Sequence, residues 1–417
     1  MSLLPSSAAI DSWLLHKILH AIGHPPIRFA IRGGASVSPS GSPPVGTLLF
    51  QDRSTLLQSI MQPEIGFGEG YAEGKLAVEG DLVTVIEAVY RSWPGPADEG
   101  WLARLKSSCV RHFKANSPQR SRSNVHHHYD LKTDFYERWL DRQLIYTCAY
   151  FPSPTASLDE AQAAKMDYVC RKLQLQPGET VAEAGCGWGA LALHMAKHYG
   201  VRVKAFNLSH EQIVFARRQA RQQGLSDQVE FIEDDYRNIH GRFDVFASIG
   251  MLEHVGLRQY AEMGRVIHGA IGRRGRGILH FIGRNYPAPL SPWITKRIFP
   301  GAYAPTLREA IQILEPWDFS VCDVENLRVH YAKTLEHWLD RFERSASQVA
   351  LMFDQRFVRA WRLYLAGSLV AFRVGTLQLF QVTFAGPECH GGPWTRAHLY
   401  EIAEPREQGP KWMHAMS

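Results

Sequence analysis

An α/β fold built on a parallel sheet is predicted for most of this chain, with a small α+β unit in front of it. Three observations carry the prediction. From about residue 160 short apolar strands alternate with helical segments; a glycine-rich turn follows the first of those strands; and the first 95 residues show no such alternation. Strands are expected at Thr180–Ala184, Val201–Phe206, Val229–Glu233, Phe243–Ile249 and Gly277–Ile282, with helices such as Glu211–Gln223 and Arg258–Ile267 between them. That order implies parallel strands covered by helices on both faces, with ligands at the strands' carboxyl ends. A last apolar strand, Leu377–Phe384, completes the sheet.

Taken in order, residues 1–95 form the α+β unit. Asp11–Ile22 has helical periodicity, Ile27–Ile31 and Gly46–Phe50 read as strands, and Ser54–Met61 and Leu82–Tyr90 read as helices. Ser36–Pro44 is a loop, and the Pro/Gly cluster from Trp93 to Gly100 marks the domain edge. Residues 96–128 are a basic linker, 129–385 the main domain, and 386–417, with four Gly and four Pro, a loosely ordered tail. Inside the main domain the alternation breaks at a proline-rich stretch, so 285–318 is expected to be an insertion that lids a pocket. A long helical region from about Thr334 through Phe357 to Ala371 follows it.

The turn is the chemical centre. Glu183-Ala-Gly185-Cys-Gly187-Trp-Gly189 stands between a strand and a helix, where glycines let backbone N–H groups approach a ligand without Cβ obstruction. Gly185-x-Gly187-x-x-Ala190 also fits a dinucleotide fingerprint, but that fingerprint expects a carboxylate at the end of the next strand, and Asn207 stands there. The form with an acid just before the glycines resembles motif I of class I S-adenosylmethionine (SAM) methyltransferases.

Composition narrows the partners. With 46 Lys+Arg against 41 Asp+Glu the net charge of +5 is too mild to argue for nucleic acid. Between Trp101 and His128, however, six basic residues and no acid are interleaved with apolar ones. Such a segment suits an anionic membrane surface, each cation contributing roughly 1 kcal/mol. Six cysteines without paired spacing indicate neither a disulfide framework nor zinc, and the adjacent His126, His127 and His128 rarely converge on one ion, so no metal is expected. No stretch reaches the 18 or so apolar residues of a spanning helix. A cytoplasmic protein, peripheral at the inner membrane surface, is expected.

Several further stretches, in conserved order and spacing from 65 to 385, resemble the cyclopropane fatty acid synthases, also called mycolic acid cyclopropane synthases, of the longer bacterial type with an N-terminal domain. They are Phe67-Gly-Glu-Gly-Tyr-Ala-Glu-Gly74, Tyr146-Thr-Cys-Ala-Tyr-Phe151, Asn207-Leu-Ser-His-Glu-Gln212, Ser248-Ile-Gly-Met-Leu-Glu-His-Val-Gly256, Leu279-His-Phe-Ile-Gly283 and His330-Tyr-Ala-Lys-Thr-Leu335. The resemblance implies a Rossmann-like seven-stranded sheet. It implies transfer of a methylene group from SAM to the cis double bond of an unsaturated acyl chain in a membrane phospholipid. The alkene attacks the sulfonium methyl, and the resulting carbocation needs a dry aromatic pocket and a base. That base is implied to be bicarbonate, held by Cys148, Glu253, His280, Ile282 and Tyr331, with Cys148 and Ile282 acting mainly through backbone N–H groups. For SAM, Glu183, Gly185, Gly187 and Gly189 would cradle the methionine part, Asn207 (where the family usually has Thr) and Gln212 the ribose side, and Asp235 and Tyr236 the adenine. A homodimer is compatible with this reading. Methyl or methylene branching of the same double bond, a small-molecule N-methyltransferase, and a non-catalytic lipid-surface binder stay open as alternatives. Taken singly, Cys148, Glu253, His280 and Tyr331 would each also suit plain packing.

Overall fold

The computed structural model describes residues 7–39, 41, 43–93 and 132–400. The basic segment 101–128 with its three histidines, and residues 401–417 of the tail, lie outside the described residues.

The first unit pairs four strands, β1 (Arg28–Ile31), β2 (Ser36–Val37), β3 (Thr47–Phe50) and β4 (Leu76–Glu79), in the order β2-β1-β3-β4. Helices Ser7–Ala21, Arg53–Met61, Pro63–Ala72 and Leu82–Ser92 accompany them. Asp52 and Asp81 cap two of these helices by accepting from the N–H groups of Thr55 and Thr84 at 2.8 Å. Helix Pro63–Ala72 and strand β4 were not foreseen, because three glycines in ten residues oppose helix formation. Tertiary contact overrides that propensity. The backbone of Gly66 lies against Gln58 and Ser59, and Gly68 lies against the Trp293 indole, so closely that a Cβ at either position would overlap its neighbour. Gly68→Ala should therefore cost about 1–3 kcal/mol through overpacking. Denaturant titration checks this, and a loss under about 0.5 kcal/mol would mean that helix and indole separate freely.

The larger sheet holds β5 (Thr180–Ala184), β6 (Arg202–Asn207), β7 (Val229–Glu233), β8 (Val245–Ile249), β9 (Arg276–Gly283), β10 (Ser320–Asn326) and β11 (Gln378–Ala385) in the order β10-β11-β9-β8-β5-β6-β7. Strands β5 to β9 are parallel, and β11 pairs antiparallel with both β9 and β10. This is the seven-stranded Rossmann-like sheet that the sequence implied. The strand order turns between β5 and β8, so the glycine turn after β5 opens at the switch point, where such sheets hold ligands. Strand β10 was missed because it is an edge strand with no apolar face, carrying Asp323 and Glu325. Those carboxylates hold the buried Lys172, whose Nζ lies 2.6 Å from Glu325 Oε2.

The long helical region is two helices, Arg328–Met352 and Gln355–Val374, broken where Asp354 caps the second by accepting from the Phe357 N–H at 2.7 Å. Residues 386–400 end in a helical turn, Ala397–Tyr400, with Leu399 buried and its carbonyl accepting from Arg171 at 2.6 Å. One apolar cluster runs from Phe29, Leu56 and Leu76 of the first unit through Trp139 to Trp338 and Trp361. The two sheets thus share a core through the helix pair.

Candidate active site

A cavity at the switch point is lined by Glu183, Gly185, Gly187, Asn207, Gln212, Asp235 and Tyr236. These are all but one of the residues expected around SAM. Gly189 is absent from the lining: it is buried, has φ +86°, and a Cβ there would come within 2.6 Å of the Phe231 ring and 2.8 Å of Ala216 Cβ. Its role in this structure is close packing and a left-handed turn. Gly187 faces the cavity with φ +55° and open space where a Cβ would point.

Internal bonds fix the rim. Asn207 donates from Nδ2 to Gly187 O at 3.2 Å and to Gln212 Oε1 at 2.6 Å, tying the end of β6 to the glycine turn. Asp235 is held by Arg237 through Nε at 2.7 Å and Nη2 at 2.9 Å. The Tyr236 hydroxyl is buried without a hydrogen-bond partner.

Several lining residues were not foreseen. Lys165, from helix Leu158–Leu173, is only 2% exposed and donates to Thr147 Oγ1 at 3.0 Å. It sits on an ordinary helix before the first strand, and nothing in its spacing marks it. Burial pushes its pKa down to about 8, while Asp141, Cys148 and Glu183 oppose that fall. Burial pushes the Glu183 carboxyl up to about 8, with Lys165 pulling the other way, and Glu183 Oε2 has no partner. His254 and Thr147 also line the cavity, as does Pro300 of the 285–318 insertion.

None of Cys148, Glu253, His280, Ile282 and Tyr331 lines that cavity; they stand behind its wall, which Thr147, Gly250, Met251 and His254 form. The Ile282 N–H, beyond the last residue that β8 pairs, donates to Glu253 Oε1 at 2.5 Å, and Tyr303 N–H donates to Glu253 O at 2.9 Å. Ile282 is therefore engaged through Glu253. Glu253 Oε2 is buried without a partner, and burial raises its pKa to about 7 against the pull of the Ile282 N–H. His280 meets Gln381 across the β9–β11 register, Nδ1 lying 3.0 Å from the amide nitrogen. That contact makes Nδ1 the acceptor and puts the ring proton on Nε2, which is buried and unpartnered. Burial holds His280 well below the ordinary histidine range, so the ring is neutral.

Cys148 and Tyr331 meet from the other side. Beside Cys148, Ala149 N–H donates to Thr334 Oγ1 at 3.0 Å and Phe151 N–H to His330 Nδ1 at 3.0 Å, which fastens the Cys148 loop to the helix carrying Tyr331. Burial drives the Cys148 thiol far above its ordinary value, so it stays protonated. Leu327 lies 4.0 Å from Cys148 through its carbonyl and donates its N–H to Leu379 O, and Leu379 is the register partner of Ile282. These contacts tie the Cys148 loop and the start of the helix carrying Tyr331 to the β9–β11 pair that carries His280 and Ile282. Aromatic rings border these contacts: Tyr331 packs on Phe372 at 4.4 Å between centroids, and Tyr146 links the cavity wall to Trp139 and Trp338 at 5.3 Å.

Comparison with known proteins agrees with this geometry. Residues 116–382 match the family described as mycolic acid cyclopropane synthetase. The chain is 33% identical over 392 residues to a "Probable fatty acid methyltransferase" of Pseudomonas putida, covering 90% of this chain and 97% of that protein. It is 32% identical over 352 residues to the cyclopropane-fatty-acyl-phospholipid synthase of Escherichia coli K12, covering 84% and 90%. Among solved structures, mycolic acid cyclopropane synthase CmaA1 complexed with SAH and CTAB superposes with a TM-score of 0.60 at 30% identity, over 63% of this chain and 97% of that one. The chain is a SAM-dependent methyltransferase and belongs to the mycolic acid cyclopropane synthetase family.

Proposed function

We propose that the protein transfers a methylene group from SAM to the cis double bond of an unsaturated acyl chain in a phospholipid, forming a cyclopropane ring and S-adenosylhomocysteine. The observation that carries this reading is the pairing of a cavity lined by the residues expected around SAM with an aromatic-bordered region beside it, where two buried polar atoms of opposite character lack partners. Glu253 Oε2 accepts and the His280 Nε2–H donates. Bicarbonate would offer a hydroxyl to the first and an oxygen to the second, so the chemistry of these two groups fits it, and Cys148 and Tyr331 would help to hold it. When bound, it supplies the base that takes the proton released as the ring closes. The protein's own work is to orient that site, keep water out and surround the developing cation with the aromatic faces near Tyr331 and Tyr146. Among the described residues no helix is long and apolar enough to cross a membrane, so the lipid would be met at a bilayer surface.

The test is incubation with SAM and vesicles of unsaturated phospholipid, followed by mass spectrometry and proton NMR of the fatty acid methyl esters. A gain of one CH₂ with upfield ring-methylene signals is expected; a branched chain instead would favour the second reading, methyl or methylene branching. No product with several chain types would sink both.

Cofactor binding should also move protons. Glu183 is protonated near pH 7 because its pKa is about 8, and SAM brings cationic ammonium and sulfonium groups that favour the carboxylate. SAM binding at pH 7 is therefore expected to release protons, seen in calorimetry as a heat that changes with the buffer's ionisation enthalpy. Glu183→Gln should diminish the release; identical heats in two buffers for the unmodified protein would contradict the assignment.

A further inference from the structure

Arg284 leaves β9 just beyond Gly283 and continues its extended course. Its N–H donates to Pro305 O at 2.9 Å, and it bridges Thr306 in parallel register. Alternation along extended backbone gives Arg284 the parity of Ile282 and His280, roughly 7 and 13 Å further along the strand direction. Its Nε is cut off from solvent and has no hydrogen-bond partner, and among the described residues its guanidinium forms no ion pair. Burial lowers its pKa; the titratable groups whose charge reaches it are Tyr286, Tyr90, Tyr303 and Glu64. Glu64 is exposed on helix Pro63–Ala72. Tyr90 and Tyr286, 39% and 42% exposed, present amphipathic rings to solvent, as aromatic side chains do where an apolar phase meets water.

A guanidinium whose Nε is buried without a partner is costly to hold, and its remaining N–H groups, with solvent access, form a planar fork that matches phosphate oxygens bidentately. We propose that Arg284, where the first unit meets the 285–318 insertion, forms a phosphate-ester site that takes the head-group phosphate of a lipid whose acyl chain runs inward past Ile282 and His280. The assignment of the lipid's reacting chain rests on the reaction proposed above. The position supports it: Arg284 stands outward of the Glu253–Ile282 contact on the same strand, so one lipid molecule can occupy both.

Binding separates this site from the chemistry. In neutral-detergent micelles, dioleoylphosphatidylglycerol should bind Arg284→Gln about tenfold or more weakly than the unmodified protein, the range expected for a charged hydrogen bond. Arg284→Lys should fall between them. Dioleoylglycerol, which has no phosphate, should bind both alike, and SAM affinity should not change. Equal phospholipid affinity in Arg284→Gln would overturn the proposal, as would an equal loss on dioleoylglycerol, which would mark a structural role. sn-Glycerol 3-phosphate distinguishes the sources: weak binding is expected, and binding as tight as the phospholipid's would assign the site to a soluble phosphate ester and overturn the lipid assignment. Product analysis of the unmodified protein on the same lipid is read separately. A phosphate-dependent affinity difference without any ring product would sink the proposed reaction and leave the phosphate site standing.

Discussion

Glu253→Gln is expected to lower turnover about 10²- to 10⁴-fold while SAM affinity stays within about threefold. The amide oxygen of Gln can still accept the Ile282 N–H that now reaches Glu253 Oε1 at 2.5 Å, so the β9 end keeps its shape. What is lost is a negative acceptor at the Oε2 position, where a buried oxygen has no protein partner. The cofactor cavity does not include Glu253, which is why binding and turnover should separate. Unchanged turnover would refute the assigned role.

The same residue predicts a pH dependence with a definite sign. Burial raises the Glu253 pKa from 4.5 to about 7, so turnover that needs the carboxylate should rise with pH up to about 7 and then level. Stability runs the other way. The folded state favours the protonated form, so this group's contribution is fully present below pH 4.5 and declines as pH rises towards about 7. Glu253→Gln should remove both trends, and pH profiles of activity and of denaturant midpoint measure them.

The second large effect separates two glycines that look alike in sequence. Gly189→Ala is expected to destabilise the protein by about 2–5 kcal/mol, the sum of a left-handed backbone penalty and overpacking against Phe231 and Ala216. Gly187→Ala meets no neighbour and should cost only about 1–2 kcal/mol through its φ of +55°. Its methyl group would stand in the cavity wall, so the loss should instead fall on SAM affinity. Thermal unfolding with and without SAM resolves the two. A Gly189→Ala protein with unmodified stability but weakened SAM binding would return Gly189 to the cradle.

Much of the frame was legible because it is local. Strands β5 and β7 lie within the predicted bounds, and β6, β8, β9 and β11 within two residues of them, since strands buried on both faces are short apolar runs between turn signals. The edge strand β10 has no apolar face, and helix Pro63–Ala72 exists only because Trp293 and the neighbouring helix accept its bare glycine backbone; neither condition is written in nearby residues.

The candidate site divides in the same way. Its residue types and their order, the acid before the glycines, Asn207 and Gln212 after β6, and Glu253 and His280 at later strand ends, are properties of the sequence by itself. Tertiary structure alone decided which of them share a space. It separated the cavity-lining set from the Glu253–His280–Ile282 group behind it, and it moved Gly189 from ligand contact to packing. It also brought in Lys165, whose place beside Glu183 depends on how an upstream helix packs on the sheet, and it left the Arg284 Nε buried without a partner among the described residues. The physical reason is common to all four: spacing along the chain reports local periodicity, whereas burial and partnership are set by elements far apart in sequence.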